Sequence, residues 1–146
     1  MEKISVKKLR PGAVLPTYGT EYSAGADLYA CLDEPVTIEP GKTVMIPTGL
    51  AMELPAGYAG LIYARSGLSV KRGLAPANKV GVIDADYRGE FMVALLNHGS
   101  TAQTIEHGER IAQLVIMPYL TAQFFETEEL SETVRGEGGF GSTGFK

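Results

Sequence analysis

The sequence predicts an all-β sandwich or barrel, and three observations carry that prediction. Eighteen glycines and eight prolines punctuate 146 residues. Short apolar runs recur between them at roughly ten-residue intervals. No stretch carries the apolar spacing of a long helix. With 45% hydrophobic residues, a chain of this length buries about two-thirds of its unfolded surface around one core.

The elements follow in order. Ile4-Ser5-Val6 alternates and opens a first strand, which Pro11-Gly12 and Pro16 end. Asp27 to Leu32 and Val36-Thr37-Ile38 come next, closed by the Pro40-Gly41 turn. Lys42 to Leu54 places Val44, Ile46, Leu50, Met52 and Leu54 at even spacing, and Pro47 and Gly49 break it into two strands bent at a corner. Gly60 to Ala64 reads as a buried strand delivering Arg65-Ser66-Gly67, after which Leu68 to Lys71 suits a single helical turn. Val80 to Ile83 suits a strand that breaks at Asp84-Ala85-Asp86, a sequence fit for a hairpin tip. Phe91 to Leu96 is almost continuously apolar, predicting burial on both faces. Ala102 to Ile105 and Arg110 to Met117 are further strands, with His107-Gly108 between them, and Phe124-Phe125 begins a last strand-like piece. Thr127 to Glu132 is acidic and expected to be exposed. His98 and His107 adjoin glycines and read as turn residues.

Charge and special residues exclude several classes. Thirteen Lys and Arg against 17 Asp and Glu leave a net charge of −4, which disfavours a partner such as duplex DNA or RNA that needs a basic face. A few local arginines still suffice for a nucleotide. Cys31 is the only cysteine, so no intrachain disulfide or thiolate cluster is expected, in keeping with a reducing compartment. The first ten residues lack the apolar stretch of a signal peptide. No run approaches the ~18 apolar residues of a membrane helix. The expectation is a soluble cytoplasmic protein with no membrane partner.

Five fragments carry candidate chemistry. Asp84, with Tyr87 close behind it, puts a carboxylate beside an aromatic face. Arg65-Ser66-Gly67 offers a cation, a hydroxyl and an open amide in succession, a compact contact for phosphate. Ala24-Gly25-Ala26-Asp27-Leu28 reads as a small-residue turn into a strand. Gln113 is a polar residue within the apolar strand of Gly108-Glu109-Arg110-Ile111-Ala112-Gln113-Leu114. Finally, 135–144 holds one arginine, Arg135, and one phenylalanine, Phe140, among five glycines. Such a segment packs no core. Its amides and hydroxyls, with Arg135, are nevertheless suited to phosphate, and Phe140 to stacking on a base. Gly136, Gly138 and Gly141 spell a dinucleotide fingerprint, but no βαβ unit fits before Lys146. A P-loop is excluded because no Lys-Ser or Lys-Thr follows the glycines.

In this order and at these intervals the five fragments resemble the trimeric dUTPase family across nearly the whole chain. The stretches from Gly81 to Glu90 and from Arg135 to Gly144 are the specific ones. Ala64 stands where many members carry proline, and Lys79-Val80 where many carry a proline-containing turn. The resemblance implies a β jelly roll, a homotrimer, and Mg²⁺-dependent hydrolysis of the substrate dUTP to dUMP and pyrophosphate, which limits uracil in DNA and supplies dUMP for thymidylate synthesis. It implies a β domain over 1–126, with 127–146 as a linker and flexible glycine-rich arm closing an active site formed by other subunits.

The same resemblance assigns the residues. Asp84 orients the water that attacks the α-phosphorus. Arg65, Ser66, Gly67, Gln113 and Arg135, with Gly141, Ser142 and Thr143 of the arm, bind phosphates. Asn78 and the backbone of Gly81, Val82 and Ile83 read uracil, Tyr87 packs against deoxyribose, and Phe140 stacks on the base. Mg²⁺ is held mainly by substrate phosphates and water, without a protein ligand cage. A dCTP deaminase of the same fold would need a glutamate and further polar residues at the base. A nucleotide-binding regulator without turnover would lack part of this set, and a purely structural β-trimer would show no saturable nucleotide binding.

Overall fold

A computed structural model describes residues 3–139 and 142. The strands are β1 (Ser5–Lys8), β2 (Thr17–Tyr18), β3 (Ala26–Tyr29), β4 (Val36–Ile38), β5 (Thr43–Pro47), β6 (Leu50–Glu53) and β7 (Tyr58–Tyr63). After one helix, α1 (Ser66–Arg72), follow β8 (Leu74–Pro76), β9 (Gly81–Ile83), β10 (Met92–Asn97), β11 (Gln103–Ile105) and β12 (Arg110–Pro118). All pairings are antiparallel. The largest sheet runs β2-β3-β12-β7-β9; β5-β10-β8, β1-β6 and β4-β11 complete the jelly roll.

One core holds the sheets together. Leu28, Ile46, Leu74, Leu95, Ile105 and Ile111 have no exposed surface, and Phe91 has almost none. The corner expected at Pro47-Gly49 forms. Thr48 is buried there and donates Oγ1 to the Phe91 carbonyl at 2.6 Å. Gly49 turns with φ +69°, and a β-carbon on it would stand 2.8 Å from Ala13 Cβ and 3.0 Å from Cys31 Sγ. Only glycine satisfies both the turn and the close approach.

Several expectations need correction. The helix is longer than one turn, spanning seven residues and ending at Gly73 in the left-handed region with φ +65°. Arg72 fastens it, donating to Gln103 Oε1 at 3.0 Å, Glu109 Oε2 at 2.6 Å and the Thr104 carbonyl. Strand β10 is not buried on both faces: Val93, Leu95 and Asn97 are buried, while Met92, Ala94 and Leu96 between them are half-buried. Apolar residues on the half-covered face disguise the alternation. No strand forms at Phe124-Phe125, which are 93% and 83% exposed. Every residue from Tyr119 to Glu137 is exposed, because this segment has no partner strand among the described residues. The acidic stretch is exposed as expected. His107 does more than fill a turn, since its Nδ1 accepts from the Leu32 amide at 3.1 Å.

Asn97 is the polar knot of the core. Its Nδ2 donates to the carbonyls of Ile38 and Thr101, both at 2.8 Å, and its Oδ1 accepts from the Gly99 amide at 3.0 Å. The substitution Asn97→Ala leaves these groups unpaired in a buried place, so it is expected to cost about 2–4 kcal/mol. Urea unfolding at fixed protein concentration measures this directly.

Candidate active site

Two cavities collect most of the residues singled out in the sequence. The first, ≈390 Å³, is lined by Gly25, Asp27, Arg65, Ser66, Gly67, Arg110 and Gln113, with Gly19, Ser23 and Ala24 at its edge. Its centre is a carboxylate between two guanidinium groups. Asp27 Oδ1 accepts from Arg65 Nε at 2.7 Å, and Oδ2 from Arg110 Nη1 at 3.2 Å. Gln113 Nε2 donates to the Ala64 carbonyl at 2.9 Å, tying the arginine loop to β12. A β-carbon on Gly25 would come within 2.7 Å of Gln113 Oε1. The small-residue turn is therefore what lets the glutamine side chain lie there. At Gly67 a β-carbon would meet nothing within 4 Å among the described residues, so packing against them does not demand the glycine.

Arg110 was not among the residues picked from the sequence, and its place depends on a backbone irregularity. Residues an odd number apart on a regular strand face opposite sides. A bulge between Arg110 and Ala112 shifts the register against β3 and brings Arg110 to the cavity that Gln113 lines. Asp27, quoted only as part of a turn, proves to be the residue that positions both cations. A carboxylate near two basic residues in separate fragments was the available signal, but sequence does not show that they meet.

The second cavity, ≈260 Å³, is lined by Asn78, Gly81, Val82, Ile83, Asp84, Tyr87 and Glu90 over an apolar floor of Met45, Ile62, Phe91 and Met92. Gly81 keeps this spot open: a β-carbon on it would lie 3.3 Å from both Asn78 Nδ2 and Ile62 Cβ and press on them. The preceding turn puts Lys79 at φ +66°, an uncommon position for a residue with a side chain. Strand β9 pairs only with β7, so it is an edge among the described residues. Its outer backbone groups remain available for hydrogen bonds. Asp84 opens the expected turn, with its carbonyl accepting from the Tyr87 amide at 3.2 Å.

The two aspartates of that turn separate cleanly. Asp84 lines this cavity, whereas Asp86 faces a different groove of ≈520 Å³ beside Lys3, Glu53 and Arg88. Among the described residues no cation lies within ion-pair distance of Asp84. Glu90 is the other carboxylate at the cavity, and sequence reading did not single it out. It is engaged: Oε1 accepts from the Gly49 amide at 2.8 Å and Oε2 lies 3.5 Å from Arg10 Nη2.

The cavities share no lining residue. Gln113 alternates with the buried Leu114, and Asp27 with the buried Ala26 and Leu28, so both point outward from the five-stranded sheet. Ile62 is buried on the inward side and floors the second cavity. No described residue of the arm lines either cavity. Arg135 Nε donates to the Gly138 carbonyl at 2.8 Å, and the Ser142 amide to the Gly139 carbonyl at 2.9 Å. Phe140, Gly141 and Thr143 lie outside the described residues.

Among the described residues no three His, Cys, Asp or Glu side chains gather as a metal cluster, and no helix there is long and apolar enough to cross a membrane. Asp27 has both oxygens on guanidinium groups. The donors around the first cavity thus fit an ion that arrives on phosphate oxygens and water.

An all-β chain with an arginine-lined anion cavity and a separate carboxylate-bearing apolar cavity has the build of a nucleotide-binding enzyme. The dUTPase family profile matches residues 12–144. The chain is 53% identical over 143 residues to the deoxyuridine 5'-triphosphate nucleotidohydrolase of Desulfitobacterium hafniense, covering 97% of this chain and 95% of that one. It is 56% identical over 131 residues to the protein of the same name from Burkholderia cenocepacia, covering 89% and 88%. Its fold superposes with a TM-score of 0.91, at 33% identity and 99% coverage of both chains, on the Staphylococcus bacteriophage 80alpha dUTPase with dUpNHpp. A mutant dUTPase of S. aureus phage phi11, described as revealing the coordination of a structural Mg(II) ion, superposes with a TM-score of 0.80 at 28% identity over 88% of this chain and 98% of that one. This chain belongs to the dUTPase family.

Replacing Asp27 by Asn removes the charge that two arginines share. Both arginines are partly solvated, so the expected loss is about 1–2 kcal/mol rather than the larger cost of breaking a fully buried pair. The urea midpoint reads it, and an unchanged midpoint would show that the arginines are held by other contacts.

Proposed function

We propose that the chain is a dUTP diphosphatase that hydrolyses dUTP to dUMP and pyrophosphate, with Asp84 as the group that steers water. The observation that carries the residue assignment is the pairing of Asp84, which has no ion-pair partner among the described residues, with an apolar, edge-strand cavity in a member of the dUTPase family. In this reading the uracil edge meets Asn78 and the free backbone groups of Gly81, Val82 and Ile83, and Tyr87 covers the deoxyribose. Arg65, Arg110, Gln113 and the amides of Ser66 and Gly67 take the phosphates.

The reaction needs one bond made and one broken. Water attacks the α-phosphorus, its proton passes to the Asp84 carboxylate, and the α–β bridging oxygen departs with pyrophosphate. Mg²⁺, when bound through phosphate oxygens, offsets part of the charge on the leaving group. Arg65 and Arg110 supply fixed positive charge, already oriented by Asp27 before the substrate arrives.

A complete site requires more than one copy, and two features support a homotrimer. The nucleoside and phosphate cavities of one chain share no lining residue, and β3 and β9 lie three strand spacings apart in the main sheet, or roughly 14 Å. Leu61, Val82, Val115 and Met117 make the outward face of that sheet apolar, and Val82 is 65% exposed. Apolar surface of this kind marks an interface. The exposed segment from Tyr119 to Glu137 would then lead the arm across to a neighbouring copy, where Arg135, Phe140, Gly141, Ser142 and Thr143 close the chamber over the nucleotide.

Pyrophosphate release from dUTP, compared with dTTP, dCTP and UTP with and without Mg²⁺, tests the activity; equal rates on dCTP or UTP would overturn it. Asp84→Asn is expected to lower kcat by at least about a hundredfold while retaining dUTP binding. Wild-type turnover in that variant would remove Asp84 from its role. Deleting 135–146 is expected to leave the oligomer unchanged by sedimentation and to lower kcat by about tenfold or more, through loss of the closing step.

A further inference from the structure

The Tyr87 ring lies down across its own turn. Its hydroxyl donates to the Glu90 carbonyl at 3.1 Å, and its ring centroid is 6.2 Å from that of Phe91 at an interplanar angle of 34°. Phe91 is 1% exposed, so it is a fixed wall, while Tyr87 is 45% exposed and lines the second cavity. The remaining support is the backbone of Gly89. A β-carbon there would stand 2.5 Å from Tyr87 Cζ and 2.9 Å from Cε2, and closer still to the hydroxyl.

Gly89 does not have the positive φ that would itself exclude a side chain. Its nearest potential clashes are all with the far end of one tyrosine. An alanine therefore suits the backbone conformation, and the three atoms it would press on most closely all belong to the Tyr87 ring and hydroxyl. This differs from Gly73 or Gly49, where φ is positive and the close atoms include backbone or core.

We infer that Gly89 is a specificity-determining residue that acts through Tyr87, setting the ring at the height where it admits a deoxyribose and excludes a ribose. This rests on the reading of Tyr87 as the sugar wall. With a methyl group beneath it, the ring tilts off the turn, gives up its bond to the Glu90 carbonyl, and no longer fills the space a 2′-hydroxyl would occupy. Discrimination between dUTP and UTP falls, while Asp84 and the arginine cavity stay as they were.

The test is a mutant cycle read as the ratio of kcat/KM for dUTP to that for UTP, with melting temperature followed alongside. Gly89→Ala is expected to lower the ratio by about tenfold or more, the scale on which a pocket rejects an added hydroxyl. Tyr87→Ala is expected to lower it at least as far. The double variant is expected to match Tyr87→Ala alone, because the methyl group then has no ring to displace. If Tyr87→Ala lowers the ratio and Gly89→Ala does not, the inference about Gly89 fails and the sugar wall stands. If Tyr87→Ala leaves the ratio unchanged, the sugar-wall reading itself fails. Should Gly89→Ala not fold, recovery of folding in the double variant supports the steric contact, and failure of both shows that the backbone itself needs glycine and overturns the inference.

Discussion

Strand β12 is clamped from both sides, and the rest of the architecture takes its bearings from that clamp. Gln113 stands opposite Asp27 on β3 and opposite Tyr63 on β7. A slip of one residue would turn Gln113 into the core and Leu114 out to solvent. It would also part the Ala64 carbonyl from the glutamine amide and carry the arginine loop away from Asp27. The buried side chains on the inward face enforce this register, so core packing fixes the geometry of a polar site that contributes little to the core.

Three carboxylates near the two cavities have different duties, and their partners explain why. Asp27 is saturated by guanidinium groups, and Glu90 by a backbone amide and Arg10. Both spend their charge on holding loops in place. Asp84 has no such engagement among the described residues, which leaves its oxygens available for water. A count of acidic residues in the sequence ranks these groups equally; only their hydrogen-bond partners distinguish anchor from reagent.

The strand pattern was largely legible because turn chemistry is local. Pro47 and Gly49 mark a real corner, and Asp84 opens a real turn. What escaped the sequence reading were the features that depend on distant neighbours. Strands β2 and β8 are two and three residues long and exist through pairing with β3 and β10, too short to show alternation of their own. Phe124-Phe125 has strand composition but no partner strand among the described residues. The site was legible as a set of fragments, while the meeting of Asp27 with Arg65 and Arg110 was not, since one contact crosses 38 positions and the other 83, and the second also needs a bulge. Ala64 illustrates the reverse case: its side chain departs from the usual residue, yet the group used is its carbonyl, which any residue supplies.

The glycine corner between β5 and β6 has a practical corollary. Cys31 is the chain's one thiol; it is 4% exposed, and its amide is bonded to the Pro47 carbonyl at 2.8 Å. A sulfhydryl reagent reaches it only when the cover over the buried thiol opens, so the rate of labelling counts excursions of the native ensemble and gives a built-in gauge of how often the fold breathes.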